Sequence, residues 1–231
     1  MTEQPQAIVP GLYSLAGAVN LFVLDDAESG VTIIDAGMPG STKRVLALLA
    51  AIGRTPQDVQ QILITHADLD HVGSLKGLVK ATGAPVFASK QAAHYIQKRQ
   101  SPPHLGFPFK AITGVMNFFL ARAVPVDQIV TNDQMLPIAG GIRVINTPGH
   151  TPDHVSFFWE RERVLLVGDL LRNFGGLTFS PPSITWDMES VHSSTRRVLE
   201  LDPVVMVFGH GETWTKDSDP DGIKNLLASV G

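Results

Sequence analysis

Thr65-His66-Ala67-Asp68-Leu69-Asp70-His71 sets four side chains able to bind a metal within six residues. The stretch follows directly on residues 61–65, QILIT, an apolar run that reads as a buried strand ending in a polar loop. In such a loop alternate residues can project into one cavity, as His66 and Asp68 would, while Asp70 and His71 turn toward a second position. A single ion does not easily accept all four donors from so short a segment; two adjacent ions can.

Working outward, the same idiom recurs. Upstream, 18–24 and 31–34 read as strands joined by a hairpin turn at 25–30, the second ending at Asp35-Ala36-Gly37. A helix over 41–52 follows, with Ser41 as its cap and Val45, Leu48, Leu49 and Ile52 at helical spacing. Downstream, Leu75, Leu78 and Val79 suit a helix stopping at Gly83, before a strand at 85–88 and a helix over 90–99. The second half repeats the pattern. A strand at 142–146 runs into Thr147-Pro148-Gly149-His150, and 155–159 with 164–167 form a hairpin ending at Gly168-Asp169. A helix over 188–201 precedes a last strand at 204–208, which stops at Gly209-His210-Gly211. Strands first, then strand and helix alternating, twice over, predict an α/β (α+β) fold of two sheets packed face to face with helices outside. The expectation is a single domain over 1–231.

The middle, about 91–139, breaks the rhythm with Ser101-Pro102-Pro103 and Phe107-Pro108-Phe109. Beyond these, Ile112, Val115, Met116, Phe119, Leu120 and Ala123 share one helical face, with Phe118 and Val124 beside it. This region reads as a helical insertion over the core: a lid over an apolar acyl group or a homodimer contact. Its polar face is poor in basic residues, which speaks against membrane binding.

Later strand ends supply further candidates: His150, Asp169 and His210. Imidazole nitrogen and carboxylate oxygen suit Zn²⁺, Mn²⁺ or Fe. His94, His104 and His192 stand outside any motif with a mechanism and read as surface or core residues, and His154 as no more than a neighbour of the ligands. Asp35 is either a turn residue or a hydrogen-bond partner fixing a ligand histidine's tautomer. Arg172 either binds a substrate carboxylate or lies on the surface.

Composition narrows the class. Among 231 residues there is no cysteine, which excludes disulfides, thiolate zinc sites and cysteine nucleophiles. A net charge of -4 without a basic cluster excludes a nucleic-acid footprint. The polar start lacks the regions of a signal peptide and no apolar run is long enough to span a bilayer, so the expectation is a cytoplasmic protein without membrane contact.

Taken together these residues resemble the metallo-β-lactamase superfamily. The signature resembled is His-x-His-x-Asp-His followed by a histidine, a bridging aspartate and a last histidine. It stands here as His66-x-Asp68-x-Asp70-His71, then His150 in TPGHTPDHVSF, Asp169 in VGDLL and His210 in FGHGE. The phrases VTIIDAG and ILITHADLDHVGS are similar as well. The resemblance implies a four-layer αββα sandwich with two metal ions at one edge. It assigns His66, Asp68 and His150 to the first ion and Asp70, His71 and His210 to the second, with Asp169 bridging. It also implies catalysis centred on Asp70 and Asp169 and on a hydroxide between the ions, and a small lactone, thioester or related ester as substrate.

Asp68 departs from the pattern, which has histidine there. Two divalent ions against Asp68, Asp70, Asp169 and one hydroxide give a neutral shell, where the all-histidine version keeps a positive charge. That implies a weaker Lewis acid, a more basic hydroxide and a shift from Zn²⁺ toward Mn²⁺ or Fe. Flavodiiron reductases of this fold also carry a carboxylate here, which makes iron-dependent oxygen chemistry the alternative activity. A non-catalytic binding module is the third reading, against which the full ligand set argues.

Overall fold

The computed structural model describes residues 5–106 and 109–229. The polar first four residues, Phe107 and Pro108 lie outside the described residues, as does the side chain of Phe118. The first sheet runs β1 (Gln6–Val9), β2 (Leu12–Leu15), β3 (Leu21–Asp26), β4 (Gly30–Ile34), β5 (Val59–Leu63), β6 (Val86–Ser89), β7 (Gln128–Val130), in that spatial order. It is antiparallel up to β4 and parallel from β4 to β7. The second sheet is built from β8 (Met135–Leu136), β9 (Ile142–Asn146), β10 (Val155–Trp159) and β11 (Val164–Gly168). A separate hairpin of β12 (Leu171–Asn173) and β13 (Leu177–Phe179) intervenes before β14 (Val205–Phe208) and β15 (Trp214–Thr215) complete it.

Alternation along the strands explains the layers. Phe22 and Leu24 of β3 join Val144, Phe157, Leu166 and Val207 of the second sheet in one core between the sheets. Leu21 and Val23 face the other way, onto helices α1 (Thr42–Ala51), α3 (Leu75–Thr82) and α4 (Lys90–Lys98), through Val45, Leu48, Leu78 and Ile96. On the far side, Ile145, Phe158, Leu165 and Met206 pack on α6 (Met188–Leu199) and α7 (Gly222–Ala228). Strands buried on both faces read as continuous apolar runs, which is why QILIT and VLLVG carry so little polarity. Three apolar interfaces separate four layers, the αββα sandwich expected.

Several local expectations change. Ser41 precedes α1 but its side chain makes no cap; its own amide instead donates to Ser74 Oγ. The strand expected from residue 18 starts at Leu21. The middle region is less of an insertion than its composition suggests, because α4 packs in the core and β7 and β8 pair with the two sheets. What remains as an excursion is the stretch from Arg99 to Val126, carrying helix α5 (Phe109–Leu120). Most of its apolar stripe faces water: Ile112, Val115 and Phe119 are 52%, 61% and 64% exposed, while Met116 is half-buried and Asn117 is buried. Among the described residues no helix is long and apolar enough to cross a membrane.

Candidate metal centre

The ligand candidates all sit at strand ends on one rim of the sandwich. β5 continues through Ile64 and Thr65 to His66; Asp68, in extended backbone, precedes the single-turn helix α2 (Leu69–Val72), which lifts Asp70 and His71. His150 follows β9, Asp169 follows β11 and His210 follows β14. Glycine is needed where these loops crowd. Gly168 has φ +64 and a Cβ there would meet His154 Nε2 at 2.5 Å; a Cβ on Gly209 would overlap Asp169 Oδ1.

The donor atoms form two groups sharing one carboxylate. In the first, Asp68 Oδ2 lies 3.5 Å from His66 Nε2 and 3.3 Å from His150 Nε2. In the second, Asp70 Oδ2 lies 3.4 Å from His210 Nε2 and 4.0 Å from His71 Nε2. Asp169 reaches both: Oδ2 is 3.2 Å from His210 Nε2 and 3.7 Å from His150 Nε2, and Oδ1 is 3.3 Å from His71 Nε2. Donors on one tetrahedral ion at ordinary Zn–N and Zn–O lengths are separated by about 3.3 Å. His66 Nε2, His71 Nε2 and Asp169 Oδ1 are also buried without a hydrogen-bond partner. A buried polar atom left unpaired costs about 1–3 kcal/mol, so these three, which meet where the two groups adjoin, fit a site completed by cations.

The nitrogens turned away from the centre are tied down. Asp35, at the end of β4, accepts from the Thr65 amide and hydroxyl and from His71 Nδ1, each at 2.8 Å. With its proton committed to Asp35, Thr65 Oγ1 accepts from His66 Nδ1 at 3.0 Å. His210 Nδ1 donates to the Ala18 carbonyl at 2.8 Å. Each bond leaves Nε2 as the free lone pair facing the centre. Asp35 is therefore the tautomer-fixing partner of its two readings. It holds φ +62, a left-handed conformation that aspartate tolerates better than most residues.

His154 is buried and accepts the Asp169 amide at Nε2, 3.0 Å away, while Nδ1 donates to Thr147 Oγ1 at 2.8 Å. It props Asp169 from behind and belongs to neither donor group. Burial and the neighbouring His66 and His150 push its pKa well down. Asp153, which the sequence reading passed over, is buried and accepts the Ala67 amide at 2.8 Å, fixing the ligand loop from the second sheet's side. Its only signal in the sequence is its place in TPGHTPDHVSF. Burial raises its pKa.

Burial alone would raise Asp68, Asp169 and Asp70, yet the surrounding imidazoles hold all three below the usual carboxylate value, Asp68 and Asp169 far below. Burial would likewise lower His71, but Asp169, Asp35 and Asp70 raise it well above normal; His210 rises to about 9 through Asp169 and Asp70. The carboxylates call for positive charge at a buried point, which protons supply when no ion does.

His94 is exposed and His192 packs on Phe179, as surface and core readings expect. His104 does not: the excursion brings its Nε2 to 3.2 Å from Asp68 Oδ2. Arg172 is no surface residue either. Its side chain is 17% exposed and its Nη2 lies 3.7 Å from Asp169 Oδ2. Both border a cavity of about 280 Å³ over the centre, walled by Met38, Leu69, Leu105, Met116 and Ile184.

Comparison with known proteins agrees with this architecture. A family model described as the metallo-beta-lactamase superfamily matches residues 15–210. The Bacillus subtilis protein YobT is 31% identical over 208 residues, covering 84% of this chain and 83% of its own. The hydroxyacylglutathione hydrolase GloC of Haemophilus influenzae is 28% identical over 200 residues, covering 85% and 87%. Among solved structures, the B3 metallo-beta-lactamase BLEG-1 superposes with a TM-score of 0.73 at 25% identity, covering 93% and 98%. A Cronobacter sakazakii metallo-beta-lactamase, at 20% identity and TM-score 0.71 with 98% and 90% covered, shares the fold. With the sandwich, the strand-end donors and a family match over most of its length, this chain belongs to the metallo-β-lactamase superfamily and is one of its metal-dependent hydrolases.

Proposed function

We propose that the chain is a dinuclear hydrolase of a small-molecule thioester, lactone or related ester. The observation that carries this reading is the convergence of His66, Asp68, His150, Asp70, His71, His210 and Asp169 on two adjacent points, with buried Nε2 atoms left free. GloC is named for a substrate that is a thioester, and an acyl-transfer site of this kind needs an apolar wall beside its charged floor. When bound, two divalent ions would bring a water's pKa toward neutrality and polarise the acyl carbonyl.

The chain's own residues do the rest. Asp35 and Thr65 hold the imidazoles in the tautomer that presents Nε2. Asp169 Oδ1 and Oδ2 span the two groups and fix their spacing. Asp70 is one-third exposed at the cavity side and can take the proton that the attacking water loses. Met116 and Leu105 cover the acyl group and keep bulk water off it. Arg172 presents a guanidinium toward the cavity wall beside Asp169, suited to an anionic substrate group. Zn²⁺ is the first choice, with Mn²⁺ or Fe favoured by Asp68.

The test is elemental analysis of protein purified without chelator or added metal, followed by turnover of thioester and lactone panels. About two zinc or manganese ions per chain and ester hydrolysis are expected. Two irons per chain with oxygen consumption, or protein that takes up none of the three on reconstitution, overturns the reading.

A further inference from the structure

His104 behaves at its two nitrogens as the frame histidines do. Its Nδ1 lies 3.1 Å from the Pro102 carbonyl, which can only accept, so that nitrogen carries a proton and Nε2 of the neutral ring is left with a lone pair. Nε2 lies 3.2 Å from Asp68 Oδ2, a contact between two acceptors unless a second proton or a cation joins them. The same oxygen has His150 Nε2 at 3.3 Å and His66 Nε2 at 3.5 Å. Three imidazole nitrogens thus lie 3.2–3.5 Å from one carboxylate oxygen, the separation of two donors on a common ion. The donor atoms of His66, Asp68 and His150 already lie within 4.8 Å of one another, and His104 reaches that group through Asp68 Oδ2. The His104 side chain is 3% exposed, its ring 5.0 Å from that of His150.

We propose that His104 is a ligand of the ion held by His66, Asp68 and His150, giving that ion three imidazoles and the Asp68 carboxylate besides the shared Asp169. The inference rests on the dinuclear reading above. It means that Asp68 adds a carboxylate to the first group without reducing its imidazole count, because the excursion returns the third. It also means that loading the metal pins the excursion, α5 included, to the frame. The competing account is an outer contact, a doubly protonated His104 hydrogen-bonded to Asp68.

Cobalt(II) loading separates these accounts. The visible absorption and chelator-competition affinities of the wild type are compared with those of His104→Ala and His104→Gln. Hydrogen exchange is followed over the stretch around His104 before and after loading. Outer partners of a ligand are worth about 10–100-fold in metal affinity. Loss of a ligand should therefore weaken one of the two ions by about 100-fold or more, change its cobalt spectrum and abolish metal-induced protection around residue 104. Added imidazole should restore affinity in the alanine variant. Unchanged affinity and spectrum overturn the proposal. So does weaker affinity with an unaltered spectrum, which would assign the outer contact. A wild type that fails to bind two ions would instead bring down the dinuclear reading.

Discussion

The frame and the excursion deliver histidines to the same centre under different constraints. His66 and His71 are fixed through Asp35, which itself sits between parallel strands β4 and β5, and His210 through the Ala18 carbonyl. Their positions are consequences of sheet register. Away from the centre, His104 is tied to a carbonyl two residues back, on a segment whose helix leaves Ile112, Val115, Phe119 and Leu120 largely exposed. The frame is built to hold charge at a point before any ion arrives, whereas the excursion is anchored by Val124 in the core and by Asn117 on Ser101, and reaches the centre through the contact of His104 with Asp68. Mutations in the frame should therefore stop the chemistry, and mutations in the excursion should tune it.

The heaviest blow to the frame is Asp169→Asn. It keeps the side chain's shape but removes the shared charge on which both groups depend. Turnover should fall by about 10³-fold or more, equivalent to roughly 4 kcal/mol of barrier. Backbone stability should change little, since His154 binds the amide and not the carboxylate. Steady-state kinetics with metal analysis decide the matter; a variant retaining a tenth of wild-type activity would remove Asp169 from its bridging role.

Asp35→Asn should act one step out. The amide can still accept from the Thr65 amide, and asparagine tolerates the left-handed backbone at this position. With its one oxygen on the Thr65 amide, its NH₂ replaces Oδ2, which accepts from both Thr65 Oγ1 and His71 Nδ1, so neither of those hydrogen bonds persists. Metal affinity should drop about 10–100-fold. Both ions should be affected, since His66 and His71 belong to different groups. A loss confined to one ion would show that the Thr65 relay to His66 does not matter.

The same contrast explains what was legible in the sequence. Strands buried on both faces are uniformly apolar, so their ends are easy to place, and His66, Asp169 and His210 stand within three residues of such ends. Asp68, Asp70, His71 and His150 lie further along the loops and were legible through their place in the family's motif. The layers follow from that regularity. His104 lies between Pro103 and Leu105 in a stretch rich in chain breakers, and only the tertiary return of the chain to Asp68 gives it a role. The stripe on α5 was visible as a period, but a period reports that a face exists and not what covers it. Ser41 had the right residue type for a cap, yet Ser74 supplies the bond that its amide needs.

The smallest effect concerns the frame emptied of metal. His210 has its pKa raised to about 9 in the folded chain, against 6.5 for an ordinary histidine. Burial opposes this, and the hydrogen bonds to Asp169 and Asp70 overcome it. A group raised on folding stabilises the folded state fully below its unfolded pKa and ceases to do so as pH climbs through its folded value. Asp68 and Asp169, lowered from 3.8, stay ionised throughout that window and add no slope. The chelated protein should therefore lose a few degrees of Tm between pH 6.5 and 9, since about 1 kcal/mol shifts a chain of this size by roughly 2–4 °C. Metal must displace the same proton to bind, so its affinity rises across that window and the Tm gap between loaded and stripped protein widens. Calorimetry of both forms at half-unit pH steps measures this. A stripped protein whose Tm is flat or rising would mean that the carboxylates of the empty frame are not neutralised by histidine protons, and that the excursion or solvent reorganises to do it instead.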